Sequence, residues 1–225
     1  MKKCFLVLIL ITFVVGGAFA QSESNFSMGA GGFFTSDFGG GVEASVSGFG
    51  VIGDIKTPYA GAGAFVFFDF NYVELSLGFF SIGGNWEEKE YVTGASVKHK
   101  FSGTGIDLGV LAKYPFVINE QFKLFPLLGL CYRSALSVEL NGLKANDPEK
   151  LSTIWLKLGG GFDYSFTDKI YLRAGFLYGI RLENQFERDT EDSLRAEGAM
   201  NLLNLNTERL LGHGLDVKLA IGRKF

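Results

Sequence analysis

Residues 170–182 read IYLRAGFLYGIRL, and this stretch decides the architecture. In an extended chain Ile170, Leu172, Ala174, Phe176 and Tyr178 share one face. Arg173, Gly175, Gly179 and Arg181 share the other, with Tyr171 and Leu177 as bulky exceptions. Successive side chains of a strand point to opposite sides, so a period of two marks a strand whose faces meet different surroundings. One face is apolar, while the other combines glycine with long charged side chains.

The same alternation recurs outward from there. Val73, Leu75, Leu77 and Phe79 form one apolar face, Ile106, Leu108 and Val110 a second, and Ile154, Leu156 and Leu158 a third. In the last segment, HGLDVKLAIGRKF (213–225), Leu215, Val217, Leu219 and Ile221 oppose Asp216, Lys218, Ala220 and Gly222. Strands are expected near 25–34, 59–68, 72–80, 104–114, 124–133, 153–165, 170–181 and 213–225. Lengths of about nine to thirteen residues suit strands tilted across a bilayer. Short connections at 69–71, 115–122 and 166–169 alternate with long ones near 35–58, 81–103, 134–152 and 182–212.

A face of glycine beside long charges fits a narrow interior, because the missing side chains leave room for the long ones. The apolar face therefore belongs against lipid. In lipid every backbone group must be paired, and only closure removes the edges of a sheet. The expected fold is all-β, a closed antiparallel transmembrane β-barrel of eight strands with long extracellular loops and short periplasmic turns. A ten-stranded barrel with an extra hairpin inside 35–58 stays open. Pro126 should sit at a bulge or at a strand's beginning, since it removes a ladder hydrogen bond.

Composition supports this class. The chain is 47% hydrophobic with 23 Phe and 31 Gly, yet after residue 20 no apolar run approaches a transmembrane helix. Lys2 and Lys3, the apolar CFLVLILITFVV and the small AFA before Gln21 form a signal-peptide pattern. Residues 1–20 are thus expected to be a cleaved signal peptide and 21–225 one barrel domain. Setting Lys2 and Lys3 aside leaves 19 basic against 24 acidic residues, with no basic stripe for nucleic acid. Cys4 leaves with the leader, so Cys131 has no intrachain partner.

By parity Glu74, Asp107, Asp163 and Asp216 point inward, as do Lys113, Arg133, Lys157, Arg173, Arg181 and Lys218. Isolated charges in a closed interior are costly, so these ten should pair. Eight strands enclose about enough space for side chains to fill, which favours a plug over an open channel.

Sites for other chemistry have little support. GFGVIG (48–53) has the spacing of a dinucleotide fingerprint, but DIKTP follows it where a helix N-terminus is required. His99 and His213 lack a metal-ligand spacing and have no Ser beside them. The run ERDTED (187–192) is an acidic loop that could bind a cation or a cationic partner. No catalytic residue, cofactor or metal is expected.

The segments FFDFNYVELSLGFF (67–80), KYPFVINEQFKLFPLLGLCY (113–132) and IYLRAGFLYGIRL resemble small bacterial outer-membrane barrels of the OmpA, OmpX and OmpW type. The resemblance spans most of the chain beyond the leader, and its motifs specify architecture rather than activity. It implies residence in the outer membrane of a diderm bacterium. The terminal LAIGRKF resembles the C-terminal signal that the barrel assembly machinery reads. This implies a recognition role for Phe225, Ile221, Leu219 and Val217, with Arg223 standing where the pattern has an aromatic or apolar residue.

The resulting expectation is a monomeric, non-enzymatic barrel that is structural, or adhesive and ligand-binding through its loops. Its partners are then outer-membrane lipid, the assembly machinery and host or environmental ligands. Family resemblance supplies two rivals: narrow transport of small hydrophobic molecules, and a lipid-modifying barrel enzyme.

Overall fold

The computed structural model describes residues 26–38, 41–46, 50–56, 59–90, 96–144, 148, 152–184, 205–210 and 212–225. The expected leader at 1–20 and the acidic run at 187–192 lie outside the described residues, as does the side chain of His99.

Eight strands form the wall: β1 (Phe26–Phe38), β2 (Tyr59–Phe70), β3 (Val73–Glu90), β4 (Ser96–Lys113), β5 (Phe122–Leu140), β6 (Thr153–Ser165), β7 (Ile170–Asn184) and β8 (His213–Lys224). Each pairs antiparallel with the next. β1 pairs with β8 from Ser27↔Lys224 to Phe38↔His213, which closes the ring at eight.

The hairpin of Gly41–Val46 and Gly50–Lys56 does not enlarge the barrel. β1 and β2 pair directly from Phe26↔Phe70 to Asp37↔Tyr59, and the hairpin reaches β3 only at Gly53↔Glu90 and Asp54↔Lys89. With Leu205–Leu210, which pairs with Gly41–Val46, it builds a crown above the ring. The ten-stranded alternative is thereby excluded.

The connections at 81–103 and 134–152, expected as loops, are largely strand. β3 and β4 stay paired up to Lys89↔Ser96. β5 runs on to Leu140 and turns back through Asn141 and Gly142, both at positive φ (51° and 85°), so that Leu140 pairs with Leu143. Asn-Gly is the usual two-residue hairpin turn, because both positions need φ above zero. At the other end Asn71, at φ 60°, turns β2 into β3 in two residues. Asn119 Oδ1 accepts from the N–H groups of Gln121 and Phe122 at 3.0 and 2.8 Å, bracing the start of β5.

Pro126 sits at neither a bulge nor a strand beginning. The β4–β5 ladder ends at Lys113↔Leu127, and Phe116–Val117 resumes pairing at Phe116↔Leu124. Pro126 thus lies opposite the interruption at residues 114–115 on the β4 side, while on the β6 side it stays in register with Gly160. Two bulges, between Thr104 and Gly105 on β4 and between Ile154 and Trp155 on β6, shift the register near the loop end.

The two faces differ as the alternation requires. Leu77, Phe79, Leu158, Phe176, Val217, Leu219 and Ile221 are exposed on the outer wall. Val73 shares the outer parity of β3 yet is buried at its start. Aromatic pairs ring the turn end, among them Phe26 with Phe70 and Phe225 (5.3 and 5.6 Å) and Tyr164 with Phe166 (5.3 Å). Amphipathic and aromatic rings concentrate at membrane interfaces, so this belt marks one edge of the apolar band.

The interior holds more rings than the sequence face suggested. Phe33, Phe65, Phe67, Phe80 and Tyr171 form one buried cluster, and Leu111, Phe125, Leu127 and Leu177 another. Glycine makes room for them. Gly222 faces Tyr171 in register, and a Cβ there would lie 2.6 Å from the phenolic oxygen.

Candidate functional site

The interior is the strongest chemical feature of the molecule. Among the described residues twelve charged side chains are buried in it: Asp37, Asp69, Glu74, Asp107, Asp163 and Asp216 against Lys113, Arg133, Lys157, Arg173, Arg181 and Lys218. Six carboxylates face six cations, so this interior is formally neutral.

Toward the turn end the network centres on Arg173 of β7. Its Nε and Nη2 donate to Asp163 Oδ1 and Oδ2 at 2.7 and 2.8 Å. Its Nη1 donates to Glu74 Oε2 at 2.7 Å and its Nη2 to Asp69 Oδ2 at 2.5 Å. Lys113 shares Asp69. The guanidinium also lies 4.5 Å from the Phe67 ring and 5.0 Å from Phe125. A planar fork with five N–H donors can satisfy several carboxylates at once, which an ammonium cannot.

Toward the loop end Arg133 of β5 and Asp216 of β8 hold a second network. Arg133 Nε donates to Asp107 Oδ2 and its Nη2 to Asp216 Oδ1, both at 2.8 Å. Lys157 Nζ lies 2.8 Å from Asp216 Oδ2, and Thr35 donates to Asp216 Oδ1 at 2.7 Å. Arg181 Nη1 lies 3.0 Å from Asp37 Oδ2. Trp155 fills the space between the cations, 4.7 Å from Lys157 Nζ and 5.4 Å from the Arg133 guanidinium carbon. Its indole N–H donates to Thr153 at 2.8 Å. Gly179 permits this packing, since a Cβ there would come within 3.0 Å of the Trp155 ring.

All ten charges singled out from the sequence are buried in the interior. Nine take part in these ion pairs, while Lys218 places its Nζ 5.1 Å from the Phe65 ring. Asp37 and Asp69 were missed. Parity counting placed them in a loop and a turn, although the ten residues alone carry two more cations than anions. That excess was the available signal.

Val217, Leu219, Ile221 and Phe225 are exposed on the outer side of the last strand. The Phe225 N–H donates to the Phe26 carbonyl at 3.0 Å. The imidazole of His213 is engaged with Tyr178, whose hydroxyl lies 2.6 Å from Nδ1. Among the described residues no group of three or more His, Cys, Asp and Glu side chains could hold a metal ion. Cys131 is buried, 3.5 Å from Asp107.

An eight-stranded closed barrel with an apolar outer wall, an aromatic belt and a salt-bridged interior has the architecture of an outer-membrane β-barrel. The chain belongs to the outer membrane protein beta-barrel domain family, whose sequence profile matches residues 5–200. Membership implies residence in the outer membrane. A comparison with curated proteins finds no match.

Several solved structures are similar in fold. Neisserial surface protein A matches 86% of this chain and 97% of its own at 16% identity, with a TM-score of 0.42. The outer membrane protein OprG from Pseudomonas aeruginosa matches 89% and 96% at 12% identity, with a TM-score of 0.46. Ail, the attachment invasion locus protein of Yersinia pestis, matches 87% and 99% at 14% identity, with a TM-score of 0.32.

Proposed function

We propose that this protein is a non-enzymatic, monomeric barrel with a plugged interior, which stabilises the envelope and presents its loop-end strands to ligands outside the cell. The observation that carries this reading is Arg173, whose guanidinium is answered by three carboxylates across the lumen toward its turn end. Side chains locked in this way occupy the route that a solute would follow. Opening it would separate buried partners, which costs several kcal/mol for each charge left alone.

Support for the display role comes from the β3–β4 hairpin, which rises above the level where β1 and β2 end. Loops and extensions on a rigid scaffold are where binding usually resides. Cleavage of residues 1–20 and recognition of Val217, Leu219, Ile221 and Phe225 by the assembly machinery complete the proposal.

Planar-bilayer recording tests the plug. Purified protein should pass little current, and Arg173→Gly should raise conductance. Large, steady conductance by the wild type would overturn the reading and favour transport.

A further inference from the structure

β8 carries one cation on the lipid-facing wall. Arg223 shares the parity of Val217, Leu219 and Ile221 and is exposed, in register with Met28 on β1 and Ile170 on β7. Its guanidinium lies 5.3 Å from the Phe225 ring, and among the described residues no carboxylate comes within 4 Å of it. A charge on this face is tolerated near the interface because its head can reach the headgroup layer. The aromatic belt formed by Phe26, Phe70 and Phe225 puts Arg223 at that height.

Two surface grooves meet at this residue. One, of about 420 Å³, runs toward the apolar band between Met28, Val66, Phe68 and Ile221, over the small side chain of Ala30. The other, of about 510 Å³, lies against the β6–β7 turn and is lined by Thr167, Asp168, Lys169 and Ile170. The turn is braced by the N–H groups of Lys169 and Ile170, which donate to Thr167 Oγ1 at 3.3 and 3.0 Å. Arg223 and Ile170 border both grooves. The polar groove carries two cations and one acid, so its net charge is plus one.

We propose that the joined grooves hold one phospholipid of the periplasmic leaflet, with an acyl chain between Met28, Val66, Phe68 and Ile221 and the phosphodiester between Arg223 and Lys169. The shape is amphipathic in the order a phospholipid requires, apolar toward the membrane centre and cationic at the belt. A single negative phosphodiester matches the charge, and guanidinium binds phosphate oxygens in bidentate fashion. A soluble anion would leave the apolar groove uncovered. A second copy of the chain would bring the same cations face to face.

The test is native mass spectrometry of protein purified from outer membranes in mild non-ionic detergent. The wild type should retain one phospholipid. Arg223→Gln and Ala30→Trp should each lower retention at least tenfold, the first by removing the phosphate partner and the second by filling the apolar groove. Both positions face outward, and the shift in gel mobility on boiling checks that each variant is folded. Inorganic phosphate at about 10 mM, roughly ten times a 1 mM dissociation constant, should displace nothing. Absence of lipid on the wild type, retention by either folded variant, or displacement by phosphate overturns the proposal.

Discussion

Arg173 and Asp163 stand directly opposite each other on β7 and β6, and the guanidinium closes on the carboxylate with two hydrogen bonds, at 2.7 and 2.8 Å. The remaining reach of Arg173 crosses the lumen to Glu74 and Asp69, so its removal takes the ion-pair partner from Asp163 and Glu74 and leaves Asp69 with Lys113 alone. Arg173→Met, which keeps bulk and loses charge, is expected to destabilise the barrel by about 3–5 kcal/mol. Equilibrium urea unfolding in lipid vesicles measures it. A loss below about 1 kcal/mol, the range of solvent-exposed pairs, would mean that water reaches these carboxylates and that the plug is leaky.

Arg133 makes a different demand on geometry. Its Nε and Nη2 serve Asp107 on β4 and Asp216 on β8, so one fork ties together two strands that are not neighbours in the wall. Arg133→Lys retains the charge but offers a point donor in place of a fork. The expected loss is about 1–3 kcal/mol, the cost of a buried acceptor left without its donor. A double-mutant cycle with Asp107→Asn should show strong coupling, since the two share a bond. Additive effects would mean that Arg133 acts through packing against Trp155 and Phe80 alone.

How far the sequence discloses this interior depends on where each residue lies along its strand. Residues such as Asp107, Lys157 and Asp216 sit in the apolar band, where hydrophobic neighbours on alternate positions announce the parity, and Glu74, level with Asp69, is followed by Leu75, Leu77 and Phe79 on the alternate face. Asp37 and Asp69 lie near strand ends, where that outer face gives way to turn and loop, so the period fades while the backbone continues. The same effect hides the upper part of β3 and β4. Above the membrane a strand has no lipid face to fill, so GGNWEEKE (83–90) loses its hydrophobic period and keeps its pairing. Asn141 and Gly142 did carry a hairpin signal, one that length and hydropathy overlooked. Bulges are harder still. The one at Thr104/Gly105 lets Val138 point inward on a strand whose earlier inward residues are odd-numbered, and nothing local in the sequence marks it.

Gly222 and Tyr171 offer a test of the interior packing that leaves the charges alone. They are paired across β8 and β7, and a Cβ on Gly222 would lie 2.6 Å from the tyrosine hydroxyl and 2.7 Å from Cε1. Each of the three nearest atoms belongs to the Tyr171 side chain. Gly222→Ala should therefore cost about 1–3 kcal/mol as overpacking. Tyr171→Leu in the same chain should recover part of that loss, although it also gives up the 2.7 Å hydrogen bond to Ser27. Refolding yield and urea midpoint report both effects. If the double variant is no better than the sum of the singles, the glycine is needed for some reason other than the ring.

The last prediction separates the wall from what stands on it. β1 and β2 end their pairing at Asp37↔Tyr59, level with the lower part of the β3–β4 hairpin, where Ala60 pairs with Gly83. Above Gly84↔Phe101 the hairpin is held by its own ladder, by two hydrogen bonds between Lys100 and Asn141 at 2.8 Å each, and by the two contacts of Gly50–Lys56 with Lys89 and Glu90. Every ion pair of the two interior networks lies outside residues 85–100. Replacing 85–100 by Asn-Gly gives a two-residue connection of the kind that suits paired strands. Shortening a connection changes closure entropy by only about 0.6 kcal/mol per halving of its length. Sixteen residues to two is three halvings, so the shortened protein should insert, shift on boiling and unfold within about 2 kcal/mol of the wild type, inside the cost of about 3–5 kcal/mol for one broken buried ion pair. It should also lose adhesion to whatever surface the intact protein holds, measured as attachment of bacteria carrying each form. Failure to insert would make the hairpin part of the fold, and unchanged attachment would remove it as the display element.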